Sequence, residues 1–162
     1  MASQWWSKYL LVLFSFALAL LLSIYPLPFA WLWWRPDFVL LVALYWVSVF
    51  PLTMSFLFLC LVGLFQDLLL AEPLGQHSMS MIIAVYVCML AHRRVRNFTL
   101  WKEAGWIFIL VFLAQIPSVW VQTLSGRPIS GLLFFAPALS SALLWPLFRP
   151  LMERITNHYR IN

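Results

Sequence analysis

Residues 9–34, YLLVLFSFALALLLSIYPLPFAWLWW, contain no charged side chain. A bilayer hydrocarbon core about 30 Å thick is crossed by roughly 20 apolar helical residues, and an unpaired charge at its centre is costly. Three further charge-free blocks follow at 38–66, 104–126 and 128–148, separated by narrow polar seams. The pattern predicts an all-α integral membrane protein with a bundle of six transmembrane helices.

Composition agrees. Of 162 residues, 64% are hydrophobic and 9% charged, against about 25% charged in soluble domains. The ten Lys and Arg outnumber the five Asp and Glu, giving a net charge of +5. In a membrane chain such a surplus marks the cytoplasmic side, so nucleic acid is not expected as a partner. Cys60 and Cys88 stand singly in apolar runs and read as small hydrophobes. Neither a structural disulfide, a metal site nor another cofactor is expected.

The apolar run at the start is long, and its Ala17 and Ala19 lie in mid-run, so it is read as a retained helix rather than a cleaved signal. Prolines and charges then divide residues 1–162 into one polytopic domain with spans at about 9–25, 38–50, 53–70, 78–91, 104–124 and 131–148. Residues 149–162 form a cytoplasmic tail, in which Leu151, Ile155 and His158 predict a short amphipathic surface helix. With the N-terminus inside, Lys8, Arg93, Arg94, Arg96, Lys102, Arg149, Arg154 and Arg160 are cytoplasmic, and only Arg35 and Arg127 lie outside. Both termini are then cytoplasmic. Trp5, Trp6, Trp31, Trp33, Trp34, Trp101 and Trp106 fall near span ends, where an indole buries its ring and keeps its N–H wet. The segment 26–34 is too short to cross and is expected to be interfacial or re-entrant. Pro117 and Pro137 are expected to kink the last two spans.

The outer seams carry Arg35, Asp37, Asp67, Glu72, Gly75, His77 and Arg127. They read either as a solvated rim or as a site that receives a ligand or partner. Asp67, just inside its span, is expected to pair with Arg35 or Arg127, because intramembrane charges pair. No nucleophile stands with a base and an orienting carboxylate, and His77 has no histidine at helical spacing. An enzyme is not expected. The inner loop HRRVRNFTLWKE, residues 92–103, interleaves Arg93, Arg94, Arg96 and Lys102 with Phe98 and Trp101, which suits contact with anionic membrane lipids. Small residues recur four apart at Ala136 and Ser140 and at Ala138 and Ala142. They permit close packing, either within the bundle or against a second copy as a homodimer.

Taken in order, RPD at 35–37, GLFQD at 63–67, EPLG at 72–75 and LWP at 144–146 resemble the MreD family of rod shape-determining proteins. The resemblance runs the length of the chain, and Arg35, Asp37, Asp67 and Gly75 are its matching positions. It implies a non-catalytic scaffold in the bacterial inner membrane that binds MreC. Such a scaffold acts with MreB, RodA and the elongation penicillin-binding transpeptidase to organise lateral peptidoglycan synthesis and cell shape. The family also implies a fold similar to the S components of ECF transporters. A substrate-capture subunit of a small-molecule transporter is therefore the alternative, although Ala17 and Ala19 do not form the four-apart pair that such subunits carry in their first helix.

Overall fold

The computed structural model describes residues 2–25, 34–51, 54–95, 97–126 and 134–158. Among them are six helices and no strand: α1 (Ala2–Ile24), α2 (Phe38–Val49), α3 (Phe56–Leu70), α4 (Gln76–Val95), α5 (Leu100–Leu124) and α6 (Ala136–His158). Successive helices run in opposite directions. One end of the bundle gathers Ser23, Asp37, Leu70, Gln76, Gln122 and Pro137 around a common cavity. The other is tied by Lys8 over the Phe50 ring, by Tyr45 with Thr156 and by Glu103 with Arg149.

By length and apolarity, α4 and α5 can each cross a membrane, while Lys8–Ile24, α2 and α3 are shorter apolar helices. The outward surface is apolar in long stripes. Leu57, Leu61, Phe65 and Leu68 on α3, and Leu139, Leu143, Leu147 and Leu151 on α6, are all exposed. Contiguous apolar surface on this scale marks contact with lipid or protein.

The short α2 occupies the middle of the bundle. Every residue from Val39 to Val47 is buried, with α1, α4 and α6 packed around it. Twelve residues extend only about 18 Å, and a helix enclosed by protein has no lipid thickness to match. Two polar pegs fix its rotation: Trp46 Nε1 donates to Ser15 Oγ of α1 at 2.9 Å, and the Tyr45 hydroxyl meets Thr156 Oγ1 of α6 at 2.9 Å. Thr156 also donates to the Met152 carbonyl. Tyr45→Phe should therefore lower stability by only about 1 kcal/mol, measured as a small fall in the thermal midpoint in detergent. A much larger fall would mean that α6 docks through this one bond.

The helix between α2 and α4 ends by a mechanism visible in its backbone. Glu72 N–H donates to the Asp67 carbonyl and Ala71 N–H to that of Leu68, the paired bonds of a Schellman motif. Ala71 holds the left-handed position at φ 52°, where an L side chain is disfavoured. Replacing Ala71 with Gly should raise the thermal midpoint by the equivalent of about 1 kcal/mol; an unchanged midpoint would mean that the turn relaxes freely.

Two expectations are corrected. The helix expected in the tail is present as the unbroken end of α6, which runs through Pro146 and Pro150 to His158, but it packs into the bundle instead of lying on a surface. Met152 and Thr156 are buried in the bundle, and that packing holds the last turns in line. Pro137 lies at the second position of α6, where a helix requires no donor from its backbone, so it starts the helix instead of kinking it; Pro117 does stand inside α5. The buried Ala136, Ala138, Ser141 and Ala142 put the small-residue face inside the chain. Trp31, Trp33, Arg96, Arg127, the side chains of Trp5 and Trp6, and most of the proposed re-entrant segment lie outside the described residues.

Candidate functional site

At the end where α1, α3 and α5 finish and α2, α4 and α6 begin, side chains take over the unpaired backbone groups of helix termini. Such groups are costly in a low-dielectric setting. The Arg35 guanidinium donates to the Leu22 carbonyl in the last turn of α1 at 2.8 Å, placing a cation at a helix C-terminus. Partial burial lowers the pKa of Arg35 from its ordinary value, and the nearby Asp37 carboxylate opposes that shift. Asp37 Oδ1 accepts from Leu40 N–H as the N-cap of α2. The Asp37 N–H donates to Ser141 Oγ at 3.1 Å, tying the start of α2 to α6.

Asp67 does the same for α4 from across a turn. It is fully buried. Its Oδ2 accepts from Gly75 N–H at 2.7 Å, and its Oδ1 accepts from His77 N–H at 3.0 Å and lies 2.7 Å from His77 Nδ1. A carboxylate at a helix N-terminus meets both the orphan donors and the favourable end of the dipole. The expected pairing with Arg35 is thus corrected: Asp67 pairs with His77, its neighbour in the outer polar seams, and the alternative partner Arg127 lies outside the described residues. Gly75, at φ 94°, supplies a turn that other residues rarely adopt. Glu72 accepts from Gln76 Nε2 and lies 3.8 Å from His77 Nδ1.

Gly63, one helical turn before Asp67, makes this capping reachable. A Cβ built on it would stand 2.6 Å from both Cα and N of Ser78, so α3 and α4 cross with their backbones nearly touching. Ser78 Oγ donates to the Cys60 carbonyl at the crossing, 2.9 Å away.

Between these helix ends lies a cavity of about 380 Å³. Arg35, Asp37, Glu72 and His77 line it, joined by Gln66, Gln76, Ser80, Gln115, Ser118 and Gln122, of which the sequence had marked only Gln66, as part of GLFQD. Val111, Ala114, Phe134 and Pro137 give it apolar walls. Ser80 and Ser118 bond to each other at 2.8 Å, joining α4 to α5.

The opposite end holds a smaller cavity of about 70 Å³, lined by His92, Glu103, Trp106, Trp145 and Arg149 among others. Glu103, in the first turn of α5, is buried and ion-paired with Arg149 of α6. Arg149 also donates to Glu153 Oε1 at 2.8 Å. Arg93, Arg94 and Lys102 are exposed nearby, with Trp101 exposed beside them. Among the described residues no three of His, Cys, Asp and Glu stand where they could hold a metal ion.

Polar residues that end or cap helices thus recur at the very positions that carry the family resemblance, and the comparison with known proteins tests that likeness. The family model described as rod shape-determining protein MreD matches residues 5–155. The chain belongs to the MreD family. It is 27% identical over 159 residues to the rod shape-determining protein MreD of Haemophilus influenzae, covering 98% of this chain and 96% of that protein. No solved structure matches the chain. Membership of MreD supports a role in determining rod shape, and with the two membrane-capable helices it fits a membrane protein.

Proposed function

We propose that this protein is a non-catalytic scaffold of the bacterial rod-shape complex. In this reading residues 1–162 form one polytopic domain in the inner membrane, with six crossings and both termini in the cytoplasm. The scaffold binds MreC and helps organise lateral peptidoglycan synthesis alongside MreB, RodA and the elongation penicillin-binding transpeptidase. The observation that carries the reading is the MreD match over residues 5–155. Orientation draws support from charge, since exposed Arg93, Arg94 and Lys102 stand at the end opposite the Arg35 cavity and cations favour the cytoplasmic side. The same cations, with exposed Trp101, suit anionic lipid headgroups.

A bundle face then receives the membrane helix of MreC, and the polar end around Arg35, Asp37 and Glu72 meets the partner where it leaves the bilayer. The test is purification of the tagged protein from its host in mild detergent, with mass spectrometry of stoichiometric partners. MreC and elongation enzymes are the expected recovery. A transport ATPase pair without cell-wall proteins would instead favour the S component reading, to which the polar cavity lends its own support; recovery of neither would defeat both.

A further inference from the structure

Two glutamines that line the large cavity carry buried polar atoms that the fold itself leaves without partners. Gln66 of α3 and Gln76 of α4 are 3% and 2% exposed. Both line the cavity, and the Oε1 atom of each is buried with no hydrogen-bond partner. Buried acceptors are almost always paired, and an unpaired one is destabilising. The identity of the free atom on Gln76 is fixed by chemistry: its Nε2 donates to Glu72, and a carboxylate can only accept, so the carbonyl oxygen is the atom left over. Two amides with such an unpartnered atom, on neighbouring helices that line one cavity of a size typical for small-molecule sites, roughly 300–1,000 Å³, point to a ligand.

We infer that the cavity binds a neutral hydroxylated group, a sugar ring or comparable polyol, whose O–H groups donate to Gln66 and Gln76. The lining selects this chemistry. Free acceptors ask for donors, which excludes an apolar tail from the glutamine wall. Asp37 and Glu72 at the same cavity disfavour an anion. A cation would in turn meet the Arg35 guanidinium, which lines the same cavity. Val111, Ala114 and Phe134 offer apolar surface to the carbon face that every sugar ring also presents. The inference does not depend on MreC binding, because its evidence lies wholly inside the bundle.

The source of the group, a free solute or a lipid headgroup, is separated by experiment. Protein purified in a detergent without a sugar head is studied by native mass spectrometry with two probes, methyl β-glucoside and a monoglucosyl diacylglycerol. Wild type should retain at least one. Retention of the free glucoside identifies a soluble ligand, and retention of the glycolipid alone identifies a headgroup. Gln66→Met and Gln76→Met, which keep the side-chain length and remove the acceptor, should each weaken retention about tenfold, the effect of one lost hydrogen bond. Gln66→Met should also raise the thermal midpoint of ligand-free protein, since it removes an unpaired buried acceptor. A merely structural glutamine would lower it. Failure of wild type to retain either probe would overturn the inference, as would retention unchanged in both variants.

Discussion

Gly63→Leu will leave almost no folded protein in the membrane. At this position a single added carbon meets backbone atoms of Ser78 at 2.6 Å, whereas unstrained carbon contacts lie at about 3.5–4.0 Å. Backbone cannot swing aside as a side chain does, so α3 and α4 must part by roughly an ångström. That movement stretches the bond from Ser78 Oγ to the Cys60 carbonyl and withdraws the start of α4 from Asp67. Overpacking a tight core costs about 1–3 kcal/mol for modest insertions, and Gly63→Ala should fall in that range. Leucine should exceed it and abolish the monodisperse peak of a fluorescently tagged protein in detergent size-exclusion chromatography. Ser78→Ala, which loses only the hydrogen bond, should cost about 1 kcal/mol and keep the peak. If Gly63→Ala leaves the thermal midpoint unchanged, the two helices do not cross this closely in the folded protein.

The second large effect is expected at Asp67. Asp67→Leu removes the acceptor for the N–H groups of Gly75 and His77, both at the start of α4. Each buried donor left unpaired costs about 1–3 kcal/mol, so the loss is roughly 2–6 kcal/mol before the His77 ring is considered. Asp67→Asn keeps one carbonyl oxygen and should lose about half as much. Thermal midpoints and steady-state levels of the three proteins give the ranking, since losses of this size reduce abundance several-fold. Should Asp67→Leu keep its midpoint and level while MreC binding disappears, the carboxylate would belong to the interface rather than to the fold.

Gly63 and Asp67 both belong to the short stretch GLFQD. The helices were legible because long charge-free runs alternate with narrow polar seams, and the ends of α2, α3 and α5 fall within a few residues of those seams. Asp37 before α2 was legible as a boundary. The partner of Asp67 was not, because nothing local distinguishes a carboxylate that reaches across a turn to His77 from one that meets a distant arginine. The central placing of α2 was hidden for a different reason. In a membrane the inner and the lipid-facing sides of a helix are both apolar, so the run from Phe38 to Val49 carries no stripe to reveal its surroundings. Gln66 and Gln76 were passed over because an amide in an apolar helix gives no sign of whether its oxygen is paired. The buried Glu103 with Arg149 looked like two ordinary loop and tail charges, and only the unbroken course of α6 brings them together.

The enclosure of α2 bears on how the chain is made. At about 18 Å this helix cannot bridge a 30 Å hydrocarbon layer by itself, yet it leaves the ribosome ahead of two helices that surround it. Its Tyr45 hydroxyl finds Thr156, and the N–H of its N-cap residue Asp37 meets the Ser141 hydroxyl, only once the last helix has been synthesised. Until then those bonds are unmade, and polar groups without partners are costly in a low-dielectric setting. The enclosure of α2 is accordingly complete only when α6, which begins at residue 136, has been made and packed against it.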